Sequence, residues 1–228
     1  TAETLAVLDS AYKRKSRIIA FSSGGKMAEY CIKNGIEHRL IPQYHSPRAS
    51  FTSYLYSMLK VLYATLEIKQ QDIYESIVEM ENIGKEIDSS NLTENNPSIN
   101  LAEWINGIPM IYYPFGLQAV AIRFKNTLQE NAKTHAMIED MMEACHNGIV
   151  AWEGGDNAVP ILIEGEDDHI KTKERWSLLK EYFLSKNIKY KEIHSGKGNI
   201  LTKIMKLIYL LDYTTIYRAI LLERDPTP

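Results

Sequence analysis

Between Gln129 and Trp152 the chain reads QENAKTHAMIEDMMEACHNGIVAW, which sets acids, a lysine and two histidines into a stretch otherwise built for burial. Two of these residues could move protons. A carboxylate such as Glu130 can act as a general base toward a carbon acid, provided it reaches the proton and sits where water is scarce. An imidazole such as His146 exchanges protons near neutral pH. Each also has a plainer reading. Glu130 follows the apolar face formed by Leu117, Val120, Phe124 and Leu128, at a helix end where its charge is poorly matched to the helix dipole. It is open to assignment as a surface acid paired with Lys133. His146 precedes Asn147-Gly148 and is equally a cap or turn residue.

Metal and thiol chemistry are weaker. No two histidines stand four apart, and Cys145 directly beside His146 is a poor spacing for two zinc ligands. A Cys145/His146 nucleophile pair has no activating motif around it. Two further places could meet an anion. SSGGK, from Ser22 to Lys26, stands between a strand and a helix, where backbone N–H groups point outward. It has the spacing of neither a Walker loop nor a dinucleotide fingerprint, and a tight strand-to-helix turn explains it as well. Arg48, in SPRASF, stands after a strand and just before a helix, where most arginines are solvated.

These residues must be held by alternating elements. Thr1 to Lys15 has helical spacing, RIIAFSS reads as a buried strand, GGKMAEYCIKN as a helix ended by Gly35, and EHRLIP as a second strand. Helices over ASFTSYLYSMLKVLYATL and QQDIYESIVEMENIGKEI follow. DSSNLTENNPSIN is the most polar, turn-rich stretch and marks a boundary or linker. A second round then begins: helix LAEWINGI, strand PMIYYP, the helix ending near Glu130, strand VPILIEG, helix DHIKTKERWSLLKEYFLSKN, strand YKEIHS and a final apolar helix from Asn199. The order predicts an α/β protein with mostly parallel strands in two domains, 1–92 and 93–228.

Composition limits the rest. Among 228 residues, 45% hydrophobic and 24% charged residues can bury a sizeable core. A net charge of -3 gives no electrostatic reason to expect nucleic acid. No apolar run reaches the roughly 18 to 20 residues that span a bilayer. Two distant cysteines, Cys31 and Cys145, suggest a reduced, cytoplasmic setting. The chain opens on a helix without methionine and closes on DPTP, as a piece of a longer protein would.

RFKNTLQENAKTHAMIEDMMEACHNGIVAWE resembles the core motif of the bifunctional phosphoglucose/phosphomannose isomerases. TAETL is similar to the residues after Ser-Gly-Asn in that family's sugar-phosphate loop. IAFSSGGKM with PRASF resembles its Ser-Ser-Gly-Gly and Pro-Arg-Ala pair, and LDYTTIYRAILLERDPTP its C-terminal helix. The resemblance implies two sugar isomerase (SIS) domains, each a parallel sheet between helices, the first lacking its N-terminal part. It implies a homodimer with active sites between subunits and no metal or organic cofactor. The reaction would interconvert fructose 6-phosphate with glucose 6-phosphate and mannose 6-phosphate through a cis-enediol. By the same resemblance Glu130 is the base, His146 opens the ring from the partner subunit, and Arg48 stabilises the enediolate. Thr1 belongs to the phosphate loop and Thr227 lies beside C1–C2. Both Glu130 and His146 are then expected in dry, apolar surroundings. Met142 and Gly148 depart from the family pattern, which has Pro-Glu before the His-Asn pair and an acid after it. The competing expectations are a SIS-type regulator that binds a sugar phosphate without turnover, and another SIS sugar-phosphate isomerase.

Overall fold

Helix α1 (Ala2–Lys13) starts because the Thr1 hydroxyl accepts the Thr4 N–H at 3.3 Å, and it buries Leu8. The computed structural model describes residues 1–155 and 157–227. Pro228, the last residue of the DPTP motif, therefore lies outside the described residues. The chain divides into two compact units, Thr1–Ile68 and Lys69–Pro228.

In the first unit, strands β1 (Ile19–Ser22) and β2 (Glu37–Leu40) pair in parallel, Ser22 opposite Leu40. Helix α2 (Gly25–Asn34) connects them. It ends where Gly35 turns left-handed at φ 64°, a conformation that costs glycine nothing sterically. Leu8, Ala20 and Cys31 form the small core between helices and sheet. After β2, a 3-10 turn at Pro47–Ser50 leads into α3 (Phe51–Leu62).

The second unit begins with α4 (Gln70–Ile87) and α5 (Pro97–Trp104). The polar stretch between them is an ordered connection inside this unit. Asn96 is fully buried, caps α5 through Ser98 N–H and Ile99 N–H, and donates to the Asn91 carbonyl at 2.9 Å. The compact division thus falls at Ile68/Lys69, while the boundary expected from the polar residues lies between α4 and α5.

The remaining order is β3 (Ile108–Tyr113), α6 (Gln118–Glu130), β4 (Met137–Asp140), α7 (Met141–Ala144), a 3-10 segment Gly148–Glu153, β5 (Ala158–Glu164), α8 (Ile170–Ser185), β6 (Lys191–His194) and α9 (Ile200–Leu221). The four strands form one parallel sheet in the order β4-β3-β5-β6. Consecutive residues in its central strands are buried: Ile111 and Tyr112 in β3, and Ile161, Leu162 and Ile163 in β5. A strand hidden on both faces requires this. Tyr112 and Leu162 join Met141, Trp176, Leu179 and Phe183 under α7 and α8. Helix α6 buries Val120, Phe124 and Leu128 and packs against both β3 and α9. Helix α9 also packs against α4 and α5, and among the described residues no helix is long and apolar enough to cross a membrane.

Candidate active site

In a parallel sheet every crossover helix carries the chain back from the carboxyl end of one strand to the amino end of the next. That rule sorts the candidate residues. In the first unit, Ser22–Lys26 and Arg48 lie on segments that leave the carboxyl ends of β1 and β2. Thr1 begins the helix that returns to the amino end of β1, so it belongs to the same side. The Ser22 hydroxyl lies 2.7 Å from His38 Nε2 and accepts the Gly24 N–H at 3.2 Å. Arg48 is half-buried within the 3-10 turn and Thr1 is exposed. Two cavities of about 630 and 480 Å³ belong to this unit, and neither is lined by Thr1 or Arg48.

In the second unit Glu130 is the last residue of α6, so it stands on the amino side of the sheet. The C-terminal tail meets it there. Lys133 Nζ donates to the Glu130 carbonyl at 2.7 Å and to the Thr227 carbonyl at 3.1 Å. Arg224 Nη1 donates to the carbonyls of Ala132 at 2.7 Å and Lys133 at 2.8 Å. Asp225 fixes Thr227 through its N–H at 2.8 Å and its hydroxyl at 2.7 Å. Those two donors, with Lys133 nearby, hold the Asp225 carboxyl below its ordinary range. Behind the corner, buried Asn131 donates to Thr215 Oγ1 at 2.8 Å. Arg123 Nε also lies 3.0 Å from both carboxylate oxygens of Asp212. Lys133 itself is left-handed at φ 53°, which costs a non-glycine residue about 1 kcal/mol.

His146 is elsewhere. It follows the carboxyl end of β4 after the single turn of α7, and its N–H donates to the Glu143 carbonyl at 2.9 Å. Asn147 Nδ2 donates to Glu143 Oε1 at 2.7 Å. Beneath this turn lies Glu139, whose carboxylate occupies the space over Gly148. A Cβ added there would fall 2.3 Å from Glu139 Oε2. Burial, then repulsion from Glu143 and Asp140, raises the Glu139 carboxyl above its ordinary value. Trp152 anchors the following segment by donating to the Tyr112 hydroxyl at 2.8 Å.

The structure therefore joins Glu130 to Thr227 and sets His146 at the other end of β4. It corrects the expected apolar surroundings, because both Glu130 and His146 are exposed in the chain alone. A carboxylate at the end of a helix and a histidine in a turn keep their hydration by facing solvent. Cys145 gains no support as a nucleophile, since burial pushes its thiol upward, away from the thiolate. Glu164, Glu192 and His194 cluster at the ends of β5 and β6. Lys180 Nζ already stands 2.7 Å from both carboxylates and supplies the positive charge a cation would bring. Lys133, Arg224, Asp225 and Glu139 were not singled out by sequence as parts of a site. Only the adjacency of Glu130 and Lys133 hinted at one of them.

A parallel sheet packed between helices, with polar groups gathered at strand and helix ends, defines an α/β protein of the class whose ligands bind beyond the ends of the strands. The family model for the bacterial phospho-glucose isomerase C-terminal SIS domain matches residues 94–228, and the chain belongs to that family. It is 29% identical over 238 residues to a bifunctional phosphoglucose/phosphomannose isomerase of Caldicellulosiruptor bescii, covering 100% of this chain and 70% of that protein. It is also 29% identical over 171 residues to a D-glucosamine-6-phosphate 4-epimerase of Sulfolobus acidocaldarius, covering 73% of this chain and 53% of that one. Its fold is similar to that of a glucose-6-phosphate isomerase like protein from Thermus thermophilus. The TM-score is 0.64 at 21% identity, over 92% of this chain and 76% of the other.

Proposed function

We propose that this chain is the larger part of an aldose–ketose isomerase that interconverts fructose 6-phosphate with glucose 6-phosphate and mannose 6-phosphate. Membership of the phospho-glucose isomerase family and the likeness to the bifunctional isomerase support the class of reaction. The observation that carries the assignment of residues is the corner at which Lys133 joins Glu130 to Thr227. It ties the main chain of the residue read as the base to that of the residue read as lying beside C1–C2, which supports assigning the two to one site.

Glu130 removes the proton from C2 of the open-chain aldose and returns it to C1, passing through a cis-enediol. Rotation of the enediol about C2–C3 turns its opposite face to the same carboxylate, so protonation at C2 gives the glucose or the mannose epimer, and Thr227 gives room for both. Arg48 offers a fixed cation to the oxyanion that develops when the carbonyl becomes the enediolate, the larger source of stabilisation in such a step. Thr1 contributes to holding the phosphate. His146 opens the ring by moving the proton of the anomeric hydroxyl to the ring oxygen, and it comes from the partner subunit of a homodimer. The chemistry calls for neither metal nor organic cofactor. Two SIS domains, the remainder of one over 1–92 and a second over 93–228, are the organisation that fits the start of the family match at residue 94. A cytoplasmic setting suits such an enzyme.

The test is a coupled assay on the full-length protein with fructose 6-phosphate, for wild type and Glu130→Gln. Formation of both aldose phosphates, with the variant reduced at least about a hundredfold, supports the proposal. Binding of fructose 6-phosphate with no exchange of its C1 hydrogen would leave a sugar-phosphate regulator instead.

A further inference from the structure

We propose that Lys133 is a positioning residue for this isomerisation, holding Glu130 and Thr227 in one register so that both meet the same two carbons of the sugar. The proposal rests on the isomerase reading. Its basis is where the ammonium goes. In place of a carboxylate, Lys133 Nζ donates to two main-chain carbonyls, one from each of the residues assigned to the C1–C2 region. Those residues lie on different elements, the end of α6 and the tail after α9, and are far apart in sequence.

The fold does not need this bridge. Helices α6 and α9 are already joined by the Arg123–Asp212 pair and by Asn131 to Thr215, all more deeply placed. Lys133 is exposed, and an exposed lysine bonded to neutral carbonyls adds little stability because it loses rotamer freedom and exchanges water for similar acceptors. Its left-handed backbone adds a small penalty of its own. A strained, exposed residue that bridges two proposed site residues is better explained by the geometry it fixes than by the stability it supplies. Arg224 takes the carbonyls of Ala132 and Lys133 and so ties the tail to the turn, while Lys133 makes the hydrogen bond from the turn to Thr227 itself.

The experiment compares full-length wild type, Lys133→Met, Lys133→Arg and Glu130→Gln for kcat, KM and the ratio of mannose 6-phosphate to glucose 6-phosphate formed from fructose 6-phosphate. Expected for Lys133→Met is a fall in kcat of ten- to about a hundredfold, the scale of a misplacement near 1 Å. KM should stay within about twofold, the product ratio should shift and the melting temperature should hold, because the lost bonds are exposed and water replaces them. Lys133→Arg, which still donates to both carbonyls, should recover most of the rate. Wild-type kcat and product ratio in Lys133→Met, beside an inactive Glu130→Gln, would overturn the inference and leave the isomerase reading standing. A rate loss that tracks a lowered melting temperature, with an unchanged product ratio and no rescue by arginine, would also overturn it. No turnover by wild type would remove the reading and the inference together.

Discussion

Glu130 and His146 lie at opposite ends of the short strand β4: Glu130 precedes its amino end across one turn, and His146 follows its carboxyl end across another. The parallel pairing of β4 with β3 fixes both positions. In the proposed reading the two residues of one site come from different copies of the chain, and that is testable without a structure of the complex.

Glu130→Gln and His146→Ala should each be inactive alone and should recover activity when refolded together. In a homodimer with shared sites, random pairing makes half of the dimers mixed. Each mixed dimer then rebuilds one intact site of two, so about a quarter of wild-type activity returns. Mixing that restores nothing, with dimers shown by light scattering, would mean that both residues act within one subunit or that one of them does not act.

The Arg123–Asp212 pair is mostly shielded, with side chains 18% and 26% exposed. Burial raises the Asp212 carboxyl and Arg123 opposes that shift. Asp212→Ala removes the carboxylate from a largely shielded guanidinium and should cost about 1.5–3 kcal/mol, the range for a hydrogen bond to a charged group. Chemical denaturation should show a lower midpoint with an unchanged slope. A variant as stable as wild type would show that Arg123 finds water at little cost.

Glu139 gives a pH dependence of definite sign. Its carboxyl is raised above the ordinary 4.5 in the folded chain, so the native state holds its proton more tightly than the unfolded state does. The penalty for its charge is absent below the unfolded value and grows as pH rises through the folded one. Glu139→Gln should therefore match wild type near pH 4 and melt higher near pH 7. Equal melting temperatures at both values would place Glu139 in ordinary solvent.

Asp225 has the opposite sign. Its depressed carboxyl holds Thr227 fully above the ordinary 3.8, and that grip weakens as pH falls through the folded value. Neutral-pH experiments should therefore see the Thr227 contacts intact. Asp225→Ala should alter the product ratio at pH 7 while leaving the melting temperature within about 2 °C, as expected of a substitution at an exposed site outside the core. An unchanged ratio would separate Thr227 from the choice between epimers.

The buried face of α6 was legible because Leu117, Val120, Phe124 and Leu128 repeat at helical spacing, and all four are buried. Strand β4 was not. It is four residues long, lies at the sheet's edge, leaves Met137 exposed and ends on two acids, so neither an apolar run nor a clean alternation marks it. The stretch from Asp88 to Asn96 looked like a linker because polarity is the usual sign of one. Its asparagines instead hydrogen-bond the local backbone, Asn91 to the Glu86 carbonyl at 2.7 Å and Asn96 to Asn91. Of the proposed site residues, the sequence singled out Glu130, His146 and Arg48 by type and position, and Thr1 and Thr227 only through the family resemblance. It could not find the carbonyl bridge made by Lys133, because side-chain-to-backbone bonds between distant segments leave no pattern of residue types.

Helix α9 packs against α4, α5 and α6, receives the Ser98 hydroxyl at its Leu210 carbonyl, and reaches back with Tyr217 to the Ile87 carbonyl at 2.7 Å. Among the described helices of the unit it leaves the ribosome last. Until it does, α4, α5 and α6 lack the helix against which all three pack. Synthesis at roughly 5–20 residues per second makes this an exposure of several seconds. The second unit should thus fold late and all at once, and truncations inside α9 should yield aggregates in place of a smaller folded domain.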